Sequence, residues 1–263
     1  MEGQYLANKY NIGSHMKKEK SLVDTVSGLP IDRPSQIFLG GPQSTHMSIA
    51  DKELDETAAI VKSRGLQVFV HSQYIINLST GNNNINATKS AVNKATNSWN
   101  TDLLRKNLRY SAKAGFKGVV VHVGKSTTQN IAIALETMRE SINSSLVDAT
   151  DACPLLLETP AGQGSELLTD KKHFIDFVKS FRDKRLGVCI DTCHVFACGH
   201  DPIEYIKMFD NDLVKLVHFN DSKESCGSCK DRHAFIGTGH IGIKIMSEIA
   251  SLCKERNLPM IIE

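Results

Sequence analysis

The chain has 263 residues, 41% of them hydrophobic, and its 31 basic and 29 acidic side chains leave a net charge of +2. The length suits one eight-stranded α/β barrel of roughly 250 residues, and the charge is too mild to argue for a nucleic-acid partner by itself. No apolar run approaches the ~18–20 residues of a membrane span, the first residues open no signal peptide, and seven cysteines make no small-domain disulfide framework, so an intracellular protein with reduced thiols and no membrane is expected.

In chain order, Tyr10–His15 and Gln36–Leu39 are the first two predicted strands. Six apolar runs follow, and each ends on a histidine or a carboxylate. Gln67–Val70 runs into His71, Gly118–Val121 into His122, and Pro154–Leu157 into Glu158. Gly187–Ile190 runs into Asp191, Lys215–Val217 into His218, and Pro259–Ile262 into Glu263. Short β-branched and leucine-rich runs bounded by Gly and Pro read as strands buried on both faces. Between them Ile131, Ala134, Leu135, Met138, Ile142 and Leu146 repeat at helical spacing, as do Phe174, Ile175, Val178 and Phe181. Alternating strands and helices predict an α/β fold, a (β/α)8 TIM barrel, as a single domain over residues 1–263. Gly81–Asn84 reads as a flexible polar loop beside the third strand end.

In such a barrel the C-terminal strand ends converge on one mouth, where the chemistry is done. A lone core histidine is usually a hydrogen-bonded structural residue; six strand ends delivering ligand-type side chains to one place are not explained by packing. Two loops add to them. Asp191-Thr192-Cys193-His194 offers a second ligand one helical turn beyond a strand end, and Asp231-Arg232-His233 lets a carboxylate and an imidazole point to the same side of an extended segment. Mixed nitrogen and oxygen donors without thiolate suit zinc, with manganese or iron held less tightly. Nine candidate ligands suit two or three ions, and clustered divalent ions point to hydrolysis at phosphorus.

At these positions the chain resembles the endonuclease IV family of apurinic/apyrimidinic endonucleases, from Ile12 to Glu263. The shared motifs are Ile12–His15, His71–Leu78, Glu158–Gly164, Gly187–His194, His218–Lys223, Asp231–His233 and Gly237–Gly242. The resemblance implies about three zinc ions. His71 and His122 would hold the first, with Glu158 bridging to a second that Asp191, His218 and Glu263 complete; His194, Asp231 and His233 would hold the third. It further implies that a hydroxide between the first two ions attacks the phosphorus 5′ to an abasic sugar, with His71, His122, Glu158, Asp191 and His218 as the catalytic residues, while the third ion helps stabilise the leaving 3′ oxygen. A monomer acting on double-stranded DNA with abasic sites or blocked 3′ ends is the implied form.

On the DNA side, Tyr74 matches a family tyrosine that enters the minor groove, and Lys223 and Arg232 are further candidate contacts. Gln43 stands where family members often carry an intercalating arginine, and Cys229 also replaces a frequent arginine. His15 and Asn220 are expected to support the ligands from behind. Gly13–Met16 reads like a cloning scar, but no histidine run precedes it and Ile12 continues an apolar strand. Cys226-Gly227-Ser228-Cys229 has CxxC spacing, yet zinc ribbons need two such pairs, so an inert loop is favoured over a redox switch. The family chain continues past Glu263, so a C-terminal truncation lacking the eighth helix is expected, with one face of the last strand exposed. Two rival readings are a metal-dependent sugar isomerase or epimerase of the same barrel class and a non-catalytic DNA-damage binder. The trio His194, Asp231 and His233 argues against the first, and the complete set of nine against the second.

Overall fold

The computed structural model describes residues 2–80, 99–127, 130–210 and 212–263; the Gly81–Asn84 loop lies outside them. Eight parallel strands close into a barrel: β1 (Gly13–His15), β2 (Ser35–Ile37), β3 (Val68–His71), β4 (Val119–His122), β5 (Leu155–Glu158), β6 (Leu186–Asp191), β7 (Val214–His218) and, last in the chain, β10 (Met260–Ile262). All eight predicted strands are present. Closure is made by β1, which pairs with β10 through Gly13 and Ile261 and with β2 through Ser14 and Ser35. A Cβ on Gly13 would lie 1.7 Å from the Pro34 carbonyl oxygen, so this strand needs its glycine to approach the neighbouring chain.

The helices are α1 (Glu2–Lys9), α2 (Leu22–Gly28), α3 (Asp51–Arg64), α4 (Trp99–Lys113), α5 (Ile131–Ser145), α6 (Lys171–Lys179), α7 (Thr192–Ala197), α8 (Pro202–Lys207) and α9 (Gly242–Glu255). Their starts are legible: the side chains of Ser21, Asn130, Asp170, Asp191 and Asp201 each accept from a first-turn backbone N–H. Helix α3 stops at Gly65 in the left-handed conformation, at φ 63°. Two details depart from the predicted faces. Ile131, at the first turn of α5, is exposed while Ala134, Met138 and Ile142 are buried, and Phe181 lies beyond the end of α6, against Phe177.

A small antiparallel hairpin, β8 (Asp221–Ser222) with β9 (His233–Ala234), interrupts the alternation after β7. Helix α1 has no counterpart among the predicted elements. It packs against α9, and Tyr10 just after it meets Ser251 of α9 at 2.7 Å. The expected exposed face of β10 is not found: Met260 is buried in the same cluster as Leu6 and Ala7 of α1, with Ile262 partly buried against it.

The barrel interior is the key to the site. Phe69, Val120, Leu156, Cys189, Leu216 and Ile261 form a buried cluster of their own, separate from the larger core that includes strand residues such as Val70, Val121 and Leu157. Side chains alternate along a strand, so the residue two places after each member faces the same way. Those six residues are His71, His122, Glu158, Asp191, His218 and Glu263.

Candidate metal centre

The apolar plug is therefore the floor of the mouth, and the six strand-end residues are the layer above it. Glu158 lies at the centre. Its Oε2 is 3.2 Å from His71 Nε2 and 3.1 Å from His122 Nε2, and its Oε1 is 2.9 Å from His218 Nδ1. Each carboxylate oxygen thus serves a different group. His71, His122 and Glu158 form one cluster with donor atoms within 4.8 Å of each other; Glu158, Asp191, His218 and Glu263 form a second. His218 Nδ1 also lies 3.1 Å from Glu263 Oε2 and 3.8 Å from Asp191 Oδ2.

The outer group comes from elsewhere. His194 sits in the first turn of α7, and Asp231 leads into β9, which His233 opens. Asp231 Oδ2 is 3.3 Å from His194 Nε2 and its Oδ1 is 3.1 Å from His233 Nε2, so the Asp-x-His spacing does place both side chains on one side. Asp191 reaches towards this group too, its Oδ2 3.7 Å from His233 Nε2, and so stands between the second and third clusters.

Neighbouring hydrogen bonds select which ring nitrogen faces the centre. His71 Nδ1 donates to the Ser72 carbonyl at 2.7 Å, and His194 Nδ1 to the Thr159 carbonyl at 2.9 Å, so Nε2 of each faces the carboxylates. His218 is reversed: Nε2 donates to Gln36 Oε1 at 2.9 Å, and Nδ1 faces the carboxylates. Such partners fix tautomer and ring plane in metal sites. The Nε2 atoms of His194 and His233 are buried without a hydrogen-bond partner. Orphaned imidazole nitrogens facing carboxylates fit a divalent cation, and the donor set of imidazoles and carboxylates fits zinc.

Electrostatics agrees. Burial alone would push Glu158 and Glu263 up, but adjacent imidazoles, His122 and then His218 at Glu158 and His218 at Glu263, hold both well below the usual carboxylate range. Burial would push His122, His194 and His218 down, and facing carboxylates instead raise all three. The carboxylates demand positive charge in a region of low dielectric, and protons on the imidazoles supply it where cations would serve better.

The supporting residues divide into those expected and those missed. Asn220 donates to Asp191 Oδ2 at 2.7 Å and accepts from the Glu263 backbone N–H at 3.0 Å, tying two strand ends together. His15 lies 3.5 Å from Glu263 Oε1, with its ring 4.5 Å from that of Phe38. Missed was Gln36, buried in β2, which donates to Glu263 Oε1 at 2.6 Å while accepting from His218; the signal was an amide opening an apolar strand. Missed too was Asp221. Its carboxylate accepts backbone N–H bonds from Ser222, Gly237, Gly239, Ile241 and Gly242 at 2.8–3.4 Å. A Cβ on Gly239 would lie 2.5 Å from Asp221 Oδ1, which explains a glycine inside the Gly237–Gly242 motif. Cys193 also approaches Asp231 and His233, but burial pushes its thiol up to about 12 and its Sγ turns to the Arg232 carbonyl at 3.6 Å; it serves as wall.

The residues expected to meet DNA are all on the rim. Tyr74 is 47% exposed, its ring 5.1 Å from that of His71 and 5.6 Å from that of His122, and its N–H donates to the Pro42 carbonyl beside exposed Gln43. Lys223 and Arg232 are exposed and joined by a backbone bond of 2.8 Å at the β8–β9 hairpin.

Residues 35–260 match the model of the xylose isomerase-like TIM barrel family. A probable endonuclease 4 of Streptomyces avermitilis is 33% identical over 243 residues, 87% of this chain and 75% of that protein. The chain belongs to the endonuclease IV family. A second relative, the probable endonuclease 4 of Mycoplasma mobile, is 31% identical over 86% of this chain and 80% of its own length. Among solved structures, endonuclease IV from Thermus thermophilus aligns with a TM-score of 0.74 at 24% identity, over 96% of this chain and 91% of that one. A D-tagatose 3-epimerase-like protein shares the fold at 17% identity and a TM-score of 0.66, over 95% of this chain and 90% of that one. No helix among the described residues is long and apolar enough to cross a membrane.

Proposed function

We propose that this protein is an apurinic/apyrimidinic endonuclease that hydrolyses the phosphodiester bond 5′ to an abasic site in double-stranded DNA. The products are a 3′-hydroxyl and a 5′-deoxyribose phosphate, and the same site trims blocked 3′ ends. About three zinc ions per chain are the cofactor, with manganese or iron as substitutes. His71, His122 and Glu158 hold the first ion, Glu158, Asp191, His218 and Glu263 the second, and His194, Asp231 and His233 the third. When bound, the ions supply an acidified water for attack on phosphorus and positive charge for the leaving oxygen.

The observation that carries this reading is Glu158, with one oxygen turned to His71 and His122 and the other to His218, at a mouth that also gathers a third set. The protein's part is positional. Glu158 fixes the separation of the first two groups, Asn220 fixes Asp191, and the apolar floor keeps bulk water from below, which strengthens every charge interaction above it. Tyr74 stands where its phenol ring can fill the gap left by an extruded abasic nucleotide, offsetting an unstacking cost on the order of a few kcal/mol. Burial and the nearby carboxylates of Glu263 and Glu158 raise its pKa, so it acts as a neutral ring.

The sugar isomerase reading has no use for the outer trio. The test is a duplex with one tetrahydrofuran site, which cannot undergo β-elimination. The expected result is incision to a 3′ end that a polymerase extends, lost on chelation and restored by zinc. Cleavage of natural abasic sites alone, with a blocked 3′ end, would indicate a lyase and overturn the assignment.

A further inference from the structure

The CxxC motif has a partner outside itself. That partner is approached by Cys229. Its backbone N–H donates to the Ala197 carbonyl at 2.9 Å, which sets it beside Cys198, the residue that ends α7. Standard backbone dimensions then hold the two Cα atoms to within about 7 Å, and a disulfide needs ~4.4–6.8 Å. The sulfurs converge as well. A Cβ on Gly162 would lie 3.2 Å from Cys198 Sγ and 3.2 Å from Cys229 Sγ, so both thiols border the same small space, kept open because residue 162 is glycine. Gly227 N–H to the Phe196 carbonyl, at 3.1 Å, adds a second tie between the loop and the helix end.

We propose that Cys198 and Cys229 are an oxidative modification site that closes to a disulfide under a hydroperoxide. Cys229 is exposed and Cys198 half-buried, so oxidation begins at Cys229. The Cys229 thiol takes one oxygen atom from the peroxide, giving a sulfenic acid and water. The Cys198 sulfur then attacks that sulfur; hydroxide leaves with the Cys198 proton as a second water, and the S–S bond forms. The two thiols together lose two electrons, which the peroxide accepts. Cys198 is the more enclosed of the two, its Sγ–H donating to the Pro160 carbonyl at 3.1 Å, so the second step is the slow one.

The bond would staple the end of the helix carrying His194 to the loop that leads into Asp231 and His233. It thereby clamps the outer group without touching its donors. Closing a loop of this length removes enough freedom from the unfolded chain to raise the melting temperature by several degrees.

The test treats the whole protein with hydrogen peroxide, alkylates remaining thiols and maps peptides by mass spectrometry. The expected result is a Cys198–Cys229 cross-linked peptide, reversible by a dithiol, that persists in Cys226→Ala and vanishes in Cys198→Ser, where a small thiol added after the peroxide forms a mixed disulfide with Cys229 instead. The oxidised protein should melt several degrees above the reduced one, with no such rise in Cys198→Ser. A Cys226–Cys229 linkage, or overoxidation of Cys229 with no cross-link, would overturn the proposal. A cross-link without the rise in melting temperature would overturn the clamp. None of these readouts depends on nuclease activity.

Discussion

The inner and outer parts of the mouth present the same chemistry by different means. His71, His122, Glu158, Asp191, His218 and Glu263 each stand two residues after a member of the apolar plug, at the C-terminal ends of six different barrel strands. Their positions follow from strand pleat and barrel closure, so displacing one requires moving a buried strand. His194, Asp231 and His233 stand outside the barrel strands, on a short helix, a loop and the first residue of the two-residue strand β9, where barrel closure does not fix direction. Hydrogen bonds do that work instead: His194 N–H to the Asp191 carboxylate, which caps α7, and the Asp221 carboxylate gathering the backbone that returns from β9. The inner group is thus specified by the fold, and the outer group by local contacts that a few substitutions could undo.

The sharpest way to break this comparison is Glu158→Gln. It removes the charge shared by the two inner groups while keeping the shape of the side chain. Incision should fall to background and the metal content of the purified protein should drop from about three ions to about one, the outer ion remaining. Loss of all three together would show that inner and outer groups are one cooperative unit, and the distinction would fail.

Asp231→Ala is the converse. It removes the carboxylate that stands between His194 Nε2 and His233 Nε2, leaving Asp191 as the carboxylate nearest to both. Elemental analysis should find about two ions retained, and incision should fall by more than the roughly 10–100-fold typical of losing an outer-shell partner. An unchanged count of three ions would remove Asp231 from the ligand set.

Asp221→Ala attacks the outer group through its support. Five backbone N–H groups would lose a buried carboxylate, a cost of about 3 kcal/mol or more. Asp221→Asn retains one acceptor oxygen and should cost less. Thermal denaturation and metal content should order the proteins wild type, Asp221→Asn, Asp221→Ala, with the outer ion lost before the inner pair. Equal stability of all three would mean that the carboxylate merely accompanies the turn.

The same division explains what the sequence disclosed. Strand ends were legible because a β-branched or leucine-rich run closing on His71 or Glu158 carries both the strand signal and the ligand in adjacent residues. Asp-x-His was legible through the two-residue period of an extended segment. Gln36 was not, because a single amide in a strand says nothing about which strand end it will face across a closed barrel. Asp221 was hidden for a related reason: its partners include residues 16–21 positions further on, and only the glycines of the later motif hinted that backbone converges there. Helix α1 escaped because a short segment with only Leu6 and Ala7 buried has too weak a periodicity to stand out. The pairing of Cys229 with the end of α7 depends on a loop returning across the mouth, a contact that CxxC spacing points away from.

The smallest expected effect belongs to the rim, and it separates gripping from metal chemistry. Tyr74 is half exposed and touches the inner group only through ring edges, 5.1 Å from His71 and 5.6 Å from His122. No polar atom of its side chain bonds to a candidate ligand among the described residues. Removing the ring should therefore leave the donors where they are, because Ser72, Glu158 and the strand pleat hold His71 in place. On the DNA side the ring offers one aromatic face, worth ~1–3 kcal/mol when a nucleotide or its vacated space is packed against it. Tyr74→Ala should weaken binding to tetrahydrofuran-containing duplex by the corresponding factor, roughly 5–150-fold, with metal content and melting temperature unchanged. Tyr74→Phe should bind like wild type, since the ring and not the hydroxyl makes the contact. Loss of metal in Tyr74→Ala to the degree seen in Asp231→Ala would make this residue part of the packing around His71 and His122, and the rim would then be an extension of the inner group.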